Sequence, residues 1–534
     1  MIAKPDFIIV GGGSAGCLLA NRLSAAPHTK IALIEAGKPV HSLFVRMPAG
    51  FAYAIKSPNL NWSYRSEPEP SLNGRRLACP RGKGLGGSSL INALAFTRGL
   101  PADFDDWSSA AGLGWSFENC LPHYRSLERF SGGADEYRGG DGPLHVRRPA
   151  LRNQLYQLFL KACSQAGYAI SDDPNGTERL GFGPMDQTIK NGERDSAHTA
   201  FIEPIVQRPN LQVISSALVT RILLDGRRAV GIRFFKDGAT IDLLTDGEVI
   251  LSAGAVNSPK LLMLSGIGPS RELASLGIDV AVNSPEVGRN LQDHVDVTVR
   301  HKSKFPISDT FILTRPQKLL IGVRWCLTKG GPGATNHFEI GGYLANSSDT
   351  NRPDAHVVFT PMLVGYDGVP PIMEHGFQST IMLLRPRSRG SISLSSPEPG
   401  VAPRIRYDAL AVETDVLRLI ASIHRLRVIF QQPAIAPFVE NEFAPGEGKG
   451  DLHLERYVRQ TAKSTDHVCG TCRMGTDQES VVDSNGRVRG VERLRVIDAS
   501  IFPIIPSANI NATVYMVAEK LAKEIRKSGA CTYY

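Results

Sequence analysis

Six residues near the start of the chain, Gly11-Gly12-Gly13-Ser14-Ala15-Gly16, constrain its folding more than any other feature. The run Phe7-Ile8-Ile9-Val10 before them is wholly apolar, as a strand buried on both faces of a parallel sheet must be. Residues 17–23 read as a helix, and Ile31-Ala32-Leu33-Ile34 as a second strand ending at Glu35, nineteen residues after Gly16. In such a strand–turn–helix–strand unit Gly11 permits the tight turn, Gly13 lets a pyrophosphate approach the backbone, and Gly16 lets helix pack on strand. The helix N-terminus offers unpaired N–H groups and a positive dipole end to the phosphates. Glu35 stands where a carboxylate meets an adenosine ribose. The unit predicts dinucleotide binding and serves FAD and NAD equally well.

Composition excludes several other classes. With 534 residues, 42% hydrophobic and 21% charged, the chain is neither disordered, fibrous nor a small disulfide scaffold, and its length predicts two intimately joined domains. Sixty basic against 52 acidic residues give a formal charge of +8. The basic residues are scattered, with no run interleaved by aromatics, so nucleic acid is not an expected partner. The excess charge is compatible with an anionic substrate or peripheral contact with an anionic membrane surface. Eight unevenly spread cysteines do not make a secreted framework. The longest uncharged stretch, between Asp498 and Glu519, carries Pro503, Pro506, Asn509 and Asn511, which argues against a membrane span. A cytoplasmic, soluble protein is expected.

Three further segments carry chemistry. From Arg81 to Gly99, the glycines Gly82, Gly84, Gly86 and Gly87 crowd six positions and run into Leu90-Ile91-Asn92-Ala93-Leu94-Ala95-Phe96. That continuation is too apolar for a flexible linker and suits a backbone pressed against a flat ligand. Residues 248–254 read as a strand ending in small residues. Asn257 and Ser258 then cap a helix with Pro259 in its first turn, running to Leu264. Near the C-terminus, Thr465-Asp466-His467-Val468-Cys469-Gly470-Thr471-Cys472 is followed by Val496-Ile497-Asp498-Ala499 and by Asn509-Ile510-Asn511-Ala512-Thr513, which opens a helix ending around Arg526. Cys469 and Cys472 form a CxxC without a second ligand pair or a thioredoxin-like setting, so no metal is expected.

Taken together, these segments resemble the glucose–methanol–choline (GMC) family of flavin alcohol oxidoreductases in order and approximate spacing, from Asp6 to about Ile525. Asn61-Trp62-Ser63-Tyr64 and Val287-Gly288-Arg289-Asn290-Leu291-Gln292-Asp293-His294 add smaller matches. The resemblance implies FAD as cofactor. Gly11, Gly13, Ser14, Ala15, Gly16, Glu35 and Ala36 would hold its ADP half, with Val219 near the adenine. Trp62, Arg81, Ser88, Asn92, Ala93, Leu94 and Ala95 would lie along the flavin. Asp498 and Ala499 would approach the pyrophosphate and ribityl chain, with Asn511, Ala512 and Thr513 beside them. Where some members bond FAD covalently through histidine, this chain has Ile91, so the flavin should be non-covalent.

The resemblance also implies two catalytic side chains before the flavin, matched here to His467 and Asn511. Histidine titrates in the range needed to take an alcohol's hydroxyl proton, and an asparagine can donate to the developing alkoxide. His294 matches a framework segment, which implies a core or supporting role. The expected fold is α/β: a Rossmann-like FAD-binding domain from 1–150, 200–300 and 462–534, and a sheet-and-helix substrate-binding domain from 151–199 and 301–461. In the latter, Ser391-Ile392-Ser393-Leu394 and His356-Val357-Val358-Phe359 read as strands. The expected activity is FAD-dependent oxidation of an alcohol (CH–OH donor), as in the family's bacterial choline, sorbose and alcohol dehydrogenases. A quinone or dye is favoured as acceptor. An oxidase using oxygen, or a non-redox hydroxynitrile-lyase-like enzyme on the same fold, are the alternatives.

Overall fold

Strands without a polar face need cover on both sides, and the chain gathers five of them into one parallel sheet. The computed structural model describes residues 4–527 apart from 178, 347, 348, 350 and 366–370. The sheet runs in the order Leu211–Ile214, Ile31–Ile34, Phe7–Val10, Glu248–Leu251 and Leu494–Val496. The central strands are buried throughout. The first helix, Ser14–Leu23, packs on this sheet and against the last, Ile510–Lys527, where Arg22 meets Glu519 at 2.7 Å.

A second sheet is antiparallel. Its order is Val439–Ala444, Val295–Ser303, Gly376–Leu383, Ala355–Thr360, Ile340–Leu344 and Phe182–Pro184, with Lys463–Ser464 pairing Val295–Ser303 off that path. Its strands therefore begin before residue 300 and take in residues 463 and 464. The helices Gln154–Gln165 and Glu413–Phe430 cover one face, where Phe159 stacks on Phe359 at 4.4 Å and Phe377 on Phe430 at 5.7 Å. Aromatic pairs at these spacings add to the area they bury.

Ser391–Ser393 is a strand as expected, pairing with Arg404–Arg406 outside the large sheet, and residues 356–359 are a strand within it. One local expectation changes. The helix expected to begin near Asn257 starts at Gly254. Asp498 Oδ2 accepts the Gly254 N–H at 2.9 Å and Ser258 Oγ accepts that of Ala253, so a carboxylate 244 residues away helps to cap this end. A cap from so far along the chain leaves no local signature.

Candidate active site

The glycine turn does what its spacing requires. A Cβ on Gly16 would stand 1.9 Å from the Gly11 carbonyl oxygen, so only glycine lets the helix approach the strand this closely. A Cβ on Gly13 would meet Gly87 Cα and Ser252 O at 4.0 Å, so a side chain there would close the space beside the N-terminus of the first helix. No side chain caps that end. Its unpaired N–H groups and positive dipole end suit an anion. The far wall of this space is the Arg81–Gly99 segment: Gly87, at φ +52°, lies so near that an added Cβ would be 2.6 Å from Gly13 Cα.

Glu35 joins these loops. Its carboxylate accepts Gly12 N–H at 2.8 Å, Gly37 N–H at 2.7 Å and Gly84 N–H at 3.0 Å, with half-buried Ala36 next to it. Within the glycine-rich segment, Ser88 Oγ accepts from Gly82 N–H, and Asn92 Oδ1 accepts from Leu94 N–H and from buried Arg194 at 2.7 Å. Ala93 O accepts from Asn336, and Ala95 bridges to Gln187. Leu94, at φ +58°, is buried. Trp62 stacks on Tyr64 at 5.8 Å with Lys83 Nζ 4.6 Å above it, and Arg81 sits 3.8 Å from Asp466. Val219 is buried at the start of an antiparallel three-stranded sheet.

At the other end of the chain, Asp498 also accepts from Ser258 Oγ at 2.6 Å and from Ser500 N–H, and Ala499 is buried beside it. Thr513 is fully buried, its hydroxyl 2.8 Å from that of Tyr124. It faces the core rather than the glycine turn, because the Tyr124 hydroxyl inside the packing needs a partner.

The residue beside His467 differs from the one matched by family pattern. Asn509, not Asn511, lies against the histidine: its Nδ2 donates to His467 Nε2 at 3.2 Å. Asn511 instead accepts through Oδ1 from Ser14 Oγ at 2.7 Å, tying the last helix to the glycine turn. The two asparagines are two positions apart where the helix begins, and residues so spaced on a helix point to different sides. Thr97 fixes the Asn509 amide, since its hydroxyl donates to Oδ1 at 2.8 Å and accepts the Asn509 backbone N–H at 3.0 Å. The amide therefore presents N–H to the ring.

The tautomer of His467 follows from its partners. With Nε2 accepting, the proton belongs on Nδ1, which lies 3.0 Å from Thr465 Oγ1 and 2.9 Å from Nδ1 of His294. The Thr465 hydroxyl already donates to the His294 carbonyl, so its oxygen is free to accept. Backbone position is set by Asp293, whose Oδ1 accepts the His467 N–H at 2.8 Å while Ser464 donates to Oδ2. Burial, then the Arg81 charge and then His356, pushes the His467 pKa down to about 3. Burial moves the Asp293 carboxyl the other way, to about 7, against the opposing pull of Ser464 and Arg81. The buried His294 is likewise held well below the usual histidine range, first by burial and then by His467 and His356.

Beyond Asn509 and Thr97 lies a narrow cavity, room for about one water. Asn175, Met185, Gly341, Tyr343 and His356 contribute to its wall, which carries no carboxylate. Burial keeps His356 neutral, with its pKa at about 4. Cys469 and Cys472 are buried free thiols, and no group of metal-ligating side chains is present among the described residues.

Two family models, both described as GMC oxidoreductase, match residues 5–296 and 386–518. The chain belongs to the GMC oxidoreductase family. It is 41% identical over 529 residues to the oxygen-dependent choline dehydrogenase of Burkholderia thailandensis, covering 98% of this chain and 94% of that one. The corresponding protein of Escherichia coli O139:H28 is also 41% identical, over 98% and 95%. Among solved structures, pyridoxine 4-oxidase from Mesorbium loti matches with a TM-score of 0.89 and 29% identity over 98% and 99%. An R554K variant of formate oxidase from Aspergillus oryzae RIB40 gives 0.91 and 26% over 98% of both chains. This GMC oxidoreductase is an FAD-dependent enzyme, and its own residues fit that cofactor. The uncapped N-terminus of the first helix suits a pyrophosphate, and Arg81 Nε is buried with no hydrogen-bond partner among the described residues. Ile91 is buried with Val45, Leu60 and Leu90, an aliphatic side chain where a covalent histidine would stand. Acid precipitation should therefore release the flavin into the supernatant. Yellow colour retained in a washed pellet would show a covalent link.

Proposed function

We propose that this GMC oxidoreductase oxidises a small alcohol, with His467 Nε2 taking the hydroxyl proton as hydride leaves the carbon. The observation that carries the reading is the state of that nitrogen. Burial keeps it unprotonated, and it accepts from the Asn509 amide, whose orientation Thr97 fixes. Nε2 has one lone pair, so the substrate hydroxyl takes the place of the Asn509 amide there, and the freed Nδ2 hydrogens serve the developing alkoxide. Thr465 and His294 hold the Nδ1 side, so the ring keeps its orientation through the transfer. The cofactor would lie along the space from Gly13 to the Ser88–Ala95 stretch, with Arg81 and Trp62 at its flavin end. When bound, FAD supplies hydride acceptance, which no side chain can provide. In this reading the five-stranded sheet carries the cofactor and the seven-stranded sheet belongs to the substrate side.

Choline is the first alcohol to test, because the relatives at 41% identity are named choline dehydrogenases. A quinone or dye is the favoured acceptor. The test is anaerobic mixing of the purified holoenzyme with choline, primary alcohols and polyols, followed by turnover with a dye or with air. Bleaching of the flavin by at least one alcohol, and faster turnover with dye than with oxygen, are expected. A flavin that no alcohol bleaches would overturn the oxidation. Stoichiometric hydrogen peroxide at the full turnover rate would make the protein an oxidase.

A further inference from the structure

Among the described residues no helix is long and apolar enough to cross a membrane, but one carries an exposed apolar stripe. The helix Arg315–Thr328 inserts a single buried side chain, Trp325, into the protein, where its indole N–H donates to Gly192 O at 2.8 Å. Successive residues turn about 100° on a helix, which sets Leu319, Leu320, Val323 and Leu327 on the side opposite that anchor. All four are exposed, Leu319 at 70% and Leu327 at 80%. By the same geometry Arg315 borders this apolar stripe on one side and Arg324 on the other. The helix contains no acidic residue.

The surroundings extend the pattern. Phe311, just before the helix, is 53% exposed. At its far end Lys329 shares the Glu193 carboxylate with Arg46, which places the exposed Leu43 and Phe44 beside the same surface. A leucine stripe flanked by cations, on a short helix held flat by one tryptophan, matches the physics of a helix lying in the lipid interface. Its apolar side chains would enter the acyl boundary while Arg315 and Arg324 meet phosphate. The net charge of +8 adds long-range attraction to an anionic surface.

We propose that the helix Arg315–Thr328 seats the enzyme peripherally on anionic lipid. The inference does not depend on which alcohol is oxidised. It is tested by co-sedimentation of the holoenzyme with vesicles of phosphatidylcholine alone or mixed with phosphatidylglycerol, using wild type and the double variant Leu319→Glu/Leu327→Glu. Both positions are exposed, so the variant should fold, and its turnover with a soluble dye should equal that of wild type. Wild type should pellet with the anionic vesicles, less so in molar salt, and the variant should bind at least about tenfold more weakly. A fluorophore on the exposed Cys326, in a Cys531→Ser background, should shift to the blue on binding. Absence of wild-type binding, equal binding by the variant, or binding without the fluorescence shift would overturn the assignment. So would a wild-type dimer that the variant converts to monomer without any vesicle binding, since the stripe would then be a subunit interface.

Discussion

Replacing His467 with alanine is expected to slow anaerobic flavin reduction by about 10²–10⁴-fold, the range for a positioned general base. The sign of the pH dependence follows from its surroundings. Its pKa is pushed down to about 3, so the neutral, proton-accepting ring persists at every pH above that value and is lost only as pH falls toward it. Flavin reduction in wild type should therefore lack the ordinary histidine inflection and stay flat, as far as His467 is concerned, from about pH 5 to 8. Stopped-flow reduction across that range in wild type and His467→Ala makes the comparison. A mutant within a few-fold of wild type would remove His467 from the base role. An inflection near the usual histidine value, present in wild type and absent from the mutant, would mean that the working ring is solvated.

Asn509→Ala should slow reduction by about 10²–10³-fold, as loss of one preorganised donor to a developing oxyanion does. Its FAD should remain bound, because the Asn509 side chain faces Thr97 and His467 rather than the glycine turn. Asn511→Ala should behave in the opposite way. It leaves Ser14 Oγ without its acceptor at the start of the nucleotide helix, so flavin content should fall while the loaded fraction reduces at nearly the wild-type rate. Flavin-to-protein ratio and single-turnover rate, measured on both variants, separate the two roles. Slow reduction in Asn511→Ala together with normal reduction in Asn509→Ala would reverse the assignment.

Much of the nucleotide end was legible from residues 7–35, because strand, glycine turn, helix and acid are contiguous and each imposes a strong local constraint. Phe7–Val10, Ser14–Leu23 and Ile31–Ile34 fall where the hydrophobic pattern puts them. Features decided by distant partners were less legible. The helix starting at Gly254 depends partly on Asp498, and the pairing of Ser391–Ser393 with Arg404–Arg406 has no local mark. Asn509 and Asn511 are the same residue type two positions apart, and family pattern selected the one inside the helix. The missed signal is positional. Asn509 immediately precedes the first helical residue, Ile510, where an amide is free to turn away from the helix axis. No spacing rule marks Thr97 as the group that orients that amide, since 412 residues separate the two.

The hydrogen bond between Ser14 and Asn511 spans 497 residues, and the parallel sheet that begins with Phe7–Val10 is finished at its edge by Leu494–Val496. This has a consequence for biosynthesis. A ribosome adding about 5–20 residues per second needs roughly half a minute to two minutes to go from the first of these elements to the last. Throughout that time the glycine turn lacks its closing helix, and for about the second half the strand Glu248–Leu251 waits for its edge partner. A chain released before Leu494 would hold most of its core yet lack both the edge strand and the helix that closes the glycine turn. The place for flavin is complete only once synthesis has passed Asn511.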